Sequence, residues 1–273
     1  MTPMLSSSHQ THSRKWQALV FVLAIAWSSA GILIATAITG DFESRHASSV
    51  LFLASGAMSL IVFFQEMYAF YVTNSRRILW MSAGFFTLGI GMIGNAITTG
   101  GSLDVALDSY VSASELFRGT SEFAAAIFIL LGTLRSDKSI RENMEFKAYI
   151  LVAVIMVTTA SIIIYISTVQ ESLSVPLYSS QYGWSPFSLY IELHVLLFFA
   201  VTCTVYVSIR KKNNNSQILF WFIIGFVLLT FSELSFTMDK VLDLGASSSL
   251  VWVGRFFLLA GFMTFVLGLN RTR

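Results

Sequence analysis

The chain has 273 residues, 55% of them hydrophobic and only 12% charged, against roughly 25% charged in an average soluble domain. Its net charge of +2 says little by itself, and three prolines leave the apolar runs almost unbroken. One cysteine, Cys203, excludes an intrachain disulfide framework and a cysteine metal site, and no feature points to nucleic acid.

A membrane helix needs about 20 predominantly apolar residues. Residues 1–15 are polar, carry Arg14 and Lys15, and read as an N-terminal tail. The first span, Trp16–Ile38, has no small-residue cleavage site before Gly40–Glu43, so it reads as a retained helix and not a signal peptide. Ser48–Val72, Ile78–Thr98 and Ala113–Leu134 follow, completing a first unit over 16–134. A second unit over 148–269 holds Ala148–Val169, Phe187–Ile209, Gln217–Thr237 and Ser249–Leu269. The expected fold is all-α, a polytopic bundle of eight transmembrane helices.

The connections test this assignment. The tail, Thr73–Arg77, Arg135–Lys147, Arg210–Ser216 and Asn270–Arg273 together hold thirteen lysines and arginines. The alternate set, Thr39–Ala47, Thr99–Ser112, Gln170–Pro186 and Met238–Ser248, holds only Arg45 and Lys240. Positive residues stay inside, which predicts a plasma-membrane protein with both termini cytoplasmic. Trp16, Trp80 and Trp221 then mark the inner interface, and Tyr110, Tyr182, Trp184 and Trp252 the outer one. Asn214-Asn215-Ser216 and Asn270-Arg271-Thr272 match a glycosylation pattern but fall inside, so they are discounted.

The two units align in order. Ser28-Ser29-Ala30-Gly31-Ile32 matches Thr158-Thr159-Ala160-Ser161-Ile162, and Ile78-Leu79-Trp80 with Gly84-Phe85 matches Leu219-Phe220-Trp221 with Gly225-Phe226. Arg118 and Arg255 take corresponding places in the last helix of each unit. Four spans per copy make the repeat a parallel tandem one, related by an axis along the membrane normal.

Ionisable groups inside a membrane are costly and are candidates for function. They are Glu66, Glu115, Arg118, Glu122, Glu192, His194, Glu233 and Arg255, with Asn95 joining them near the end of the third span. At 1.5 Å rise per residue, Arg118 lies ~8 Å and Glu122 ~14 Å below the outer end of the fourth span. All but Glu66 belong to the outer leaflet. Glu115, Arg118 and Glu122 are spaced i, i+3 and i+7 and share a helix face, and Arg255 is expected to pair with Glu233 or Glu192. Two readings compete: intramembrane ion pairs that hold the bundle, or an outward-facing polar pocket in which the arginines meet a ligand.

Other chemistries find no residues. One intramembrane histidine cannot supply both axial ligands of a haem, no histidine or cysteine pair has metal-ligand spacing, and the last span lacks a Schiff-base lysine. No nucleophile motif or phosphate-binding glycine loop occurs, so neither a cofactor nor an enzyme activity is expected. Gly254, Gly261 and Gly268 in the eighth span, and Gly84, Gly91 and Gly94 in the third, read as close-packing surfaces.

Ser114-Glu115-Leu116-Phe117-Arg118-Gly119-Thr120-Ser121-Glu122, following Thr99-Gly100-Gly101, resembles the third type of membrane-associated sensor domain of bacterial and archaeal signalling proteins. Tyr190-Ile191-Glu192 and Ser232-Glu233-Leu234-Ser235-Phe236-Thr237 extend the resemblance over roughly residues 48–269. It implies a sensor that works with a separate signalling protein, since no output domain is recognised before Arg273. Where the family pattern places a histidine, this chain has Gly94-Asn95-Ala96. The first expectation is a non-enzymatic membrane sensor or ligand-binding protein with an outward polar pocket. An accessory subunit bound to other membrane subunits comes second. A small-molecule transporter comes third, and it lacks the broken helix pair that marks a substrate site.

Overall fold

The apolar runs form helices, and local chemistry sets several of their ends. In a computed structural model the described residues are 20, 22–23, 25–32, 34–35, 44–100, 107–134, 177–179, 181–212, 216–244 and 248–270. Helix α1 is Arg45–Thr73, α2 Arg76–Gly100 and α3 Leu107–Leu134; α4 is Pro186–Lys212, α5 Gln217–Leu242 and α6 Ser249–Asn270. The Ser44 side chain caps α1 by accepting a bond from the Ala47 N–H. At the other end Asn74 turns left-handed (φ 50°) and its N–H reaches the Phe70 carbonyl. With 22 to 29 residues each, the helices are about 33–44 Å long. All six are long and apolar enough to cross a membrane. They match the second, third, fourth, sixth, seventh and eighth expected spans.

Residues 25–32 of the first expected span are helical and pack on α6, where Ile32 and Ala35 join Leu250 and Phe257. The fifth, Ala148–Val169, lies outside the described residues, as do the tail 1–15 and segment 135–147, so the structure supports a membrane helix bundle without giving its full count. One departure from an all-helical chain appears: β1 (Tyr178–Ser179) and β2 (Gly183–Trp184) form an antiparallel hairpin, in a stretch that the sequence marked only as a loop.

The six helices close into a ring, each touching its neighbours in chain order and α1 touching α6. Small residues set the close approaches. A Cβ on Gly91 would lie 1.9 Å from Ser121 Oγ, and one on Gly225 would lie 2.5 Å from the Phe265 ring. Gly84, Gly91 and Gly94 all face α3, and Gly254, Gly261 and Gly268 all face α5, so both glycine stripes are packing surfaces. The contacts also fix helix direction. Within each of the pairs α1–α2, α2–α3, α4–α5 and α5–α6 the helices run antiparallel. By contrast α3 and α4 run parallel (Glu115 beside Ser188, Phe123 beside Phe198), as do α1 and α6 (Ser48 beside Arg255, Gln65 beside Asn270). Far from the hairpin, the ring is filled by aromatic side chains, with Phe85, Phe222 and Phe226 packed around Phe265. Near the hairpin it is filled by charge.

Candidate functional site

These helix directions bring the last turns of α2 and α5 and the first turns of α1, α3, α4 and α6 to one end of the ring. The candidate residues sit there. On α3, the i, i+3, i+7 spacing of Glu115, Arg118 and Glu122 turns all three inward, and each is at least nine-tenths buried. Arg118 donates through Nη1 to Glu122 Oε2 (3.0 Å) and through Nη2 to both oxygens of Glu115 (3.0 and 2.9 Å). It also pairs with Glu192 Oε1 of α4. Its guanidinium lies 4.0 Å over the Phe236 ring of α5. The expected intrahelical pairs are therefore present, and they are joined across helices.

The second cation of the network is Lys240, which the sequence reading assigned to an outer connection because the apolar run fades at Thr237. Helix α5 continues to Leu242, and this last turn carries Lys240 inward. Its Nζ pairs with Glu115 Oε1, donates to Ser188 Oγ (2.6 Å) and to Glu192 Oε1 (2.9 Å), and lies 4.8 Å from the Trp184 ring. Asp239, beside it, accepts from Ser248. A signal for Lys240 did exist: it stands i+7 from Glu233 and i+4 from Phe236, on one helix face.

Trp184 belongs to the hairpin, which lies across this end of the ring. Ser112 ties it to α3 by donating to the Tyr178 carbonyl (3.2 Å) and accepting from the Tyr178 N–H (3.1 Å). Gly183 takes φ +70°, a conformation that favours glycine, and lies against the side chain of Asp243, the residue that caps the end of α5. Beneath the hairpin is a half-open pocket with a cavity volume of about 50 Å³. Asn95 and Thr99 of α2, Ser114, Glu115 and Arg118 of α3, Asp239 and Lys240 of α5 and Arg255 of α6 line it, together with Phe52, Trp184 and Phe236.

The other candidates divide. Asn95 faces the pocket and accepts from Thr99 Oγ1 (3.1 Å). Arg255 pairs with neither Glu192 nor Glu233, contrary to expectation. Arg118 and Lys240 hold Glu192 on the opposite side, while Arg255 donates to Ser48 Oγ (2.7 Å) and lies 4.8 Å from the Trp252 ring. Glu233 lies below the pocket and is fully buried beside Glu122 and Glu192. His194 does not join the cluster; its ring contacts Tyr190, Phe198 and Phe123. Glu66 is buried near the far end of the bundle, apart from the rest.

A membrane bundle with a charged cluster at one end defines a class of protein, and sequence comparison gives the family. The chain matches the MASE3 family, a membrane-associated sensor domain, over residues 46–272. That span is most of the chain, and the protein belongs to this family. Comparison with curated proteins and with solved structures finds no match. The family is one of sensors and not a catalytic one, and a multi-pass membrane sensor is what the sequence resemblance implied.

Proposed function

We propose that this membrane sensor binds a small polar ligand in the pocket under the Trp184 hairpin, and that Arg118 and Lys240 pass the event to the helices. The observation that carries this reading is the position of the two cations. They form the pocket's charged floor and tie α3, α4 and α5 together through Glu115 and Glu192. A ligand that competes for Lys240 loosens the tie between α5 and α3, shifting the helix arrangement by its differential contacts with the two states. The pocket's mixed aromatic and polar lining suits a small polar molecule.

The proposal places the hairpin end outside the cell and both termini inside, on the strength of the loop charges. It also includes the fifth span. Because α3 and α4 run parallel, the chain between Leu134 and Pro186 has to return from one end of the bundle to the other. The tandem repeat is supported by the same ring: α1–α3 and α4–α6 follow each other in the same order and sense. The signal then leaves at the cytoplasmic end to a separate signalling protein.

A thermal-unfolding screen of the detergent-purified chain against amino acids, organic acids and amines tests the pocket. Ser114→Phe fills the cavity from α3 without removing a charge. A compound that raises the midpoint of the wild type and not of Ser114→Phe supports the reading. A compound that shifts both equally binds elsewhere, and a panel without any binder leaves the network as structural bracing.

A further inference from the structure

We propose that Glu122, Glu192 and Glu233, below the pocket floor, form a binding site for one hard divalent cation of the calcium class. The inference stands on these carboxylates and does not rest on a ligand in the pocket above. One oxygen from each of the three lies within 4.8 Å of the others. Oxygens that share one calcium ion at 2.3–2.6 Å are at most about 5.2 Å apart, so the spacing suits a single ion between them.

The hydrogen bonding points to a ligand independently. Glu233 is fully buried, and among the described residues its carboxyl is in hydrogen-bond contact with the Glu192 carboxyl alone, no N–H or hydroxyl reaching either oxygen. Glu122 spends Oε2 on Arg118, and Glu192 spends Oε1 on Arg118 and Lys240. Their second oxygens, Glu122 Oε1 and Glu192 Oε2, are left without a donor in the same way. Four buried carboxylate oxygens thus crowd one small volume with no N–H or hydroxyl donor among the described residues, although buried polar atoms are ordinarily paired.

Charge leads to the same place. When all four are ionised, Glu115, Glu122, Glu192 and Glu233 leave a deficit of two positive charges beside Arg118 and Lys240. One divalent ion closes it. The donor set is all oxygen, with no histidine or cysteine, and such sets select hard cations. The described bonds of Arg118 and Lys240 go to one oxygen each of Glu122 and Glu192 and leave the other free of them.

The test uses the full chain in detergent, stripped with a chelator and held at constant ionic strength in choline chloride at pH 7. Equilibrium dialysis with radioactive calcium should find one ion per chain. At a hundredfold excess over Kd, calcium should raise the unfolding midpoint by roughly 5–10 °C, and sodium at equal ionic strength should not. Glu233→Gln, which keeps the shape and removes a charge, should lose the bound ion and the shift. Glu122→Gln should do the same, and serves if the first variant does not fold. Retention of the ion by both variants would place it elsewhere and overturn the site. So would a wild type that binds no divalent ion and whose midpoint rises on acidification to the level of Glu233→Gln, since protons would then neutralise the cluster.

Discussion

At the scale of single residues, the decisive fact is that Lys240 and Arg118 are both buried and both shared between helices. Lys240 touches Glu115 and Glu192, groups that lie 125 and 48 residues away in the chain. Removing one member of a buried ion pair typically costs about 3–5 kcal/mol, because the partner charge is left uncompensated. Lys240→Met should therefore lower the unfolding midpoint of the purified protein strongly. Adding Glu115→Gln to that variant should restore part of the loss, because it removes one of the stranded charges. Strictly additive losses in the two single variants and the double would show that the two side chains are not coupled.

Among the elements, the helix contacts depend on glycines whose spacing was readable but whose partners were not. Gly91 opposes Ser121 so closely that any side chain would drive α2 and α3 apart. Gly119, on the other side of α3, has its nearest neighbour, Ile191 Cγ2, at 3.4 Å from an added Cβ. Gly91→Ala should destabilise the bundle by about 1–3 kcal/mol, as overpacking does, and Gly119→Ala should fold with nearly unchanged stability. Thermal unfolding of the two variants side by side checks this. A Gly91→Ala protein as stable as Gly119→Ala would mean that the two helices are spaced more widely than the structure has them. The glycine stripes were legible because they recur at helical spacing. The hairpin was not, because it is fixed by Ser112, Asp243 and Lys240, all distant in sequence from Trp184.

At the scale of the molecule, the topology makes the plainest prediction. In a Cys203→Ala background, a cysteine at Tyr182, an exposed hairpin position, should react with an impermeant thiol reagent in intact cells. Cysteines at Ser139 and Asn214 should react only after permeabilisation. Labelling of Asn214 from outside would overturn the orientation, and labelling of Ser139 from outside would remove the return crossing between α3 and α4.

The sequence by itself determined the six described stretches that are long and apolar enough to cross a membrane, and that most of the ionisable groups gather at one end. Both follow from signals local to a segment: the length of an apolar run, and a residue's distance from its end. Only the tertiary structure decided which charges meet. Each residue turns a helix by about 100°, so a small rotation of one helix about its axis exchanges one partner for another. That rotation is set by packing against glycines and phenylalanines of neighbouring helices. This is why Arg118 and Lys240, and not Arg255, hold Glu192, and why Glu233 lies beneath the pocket instead of on its wall.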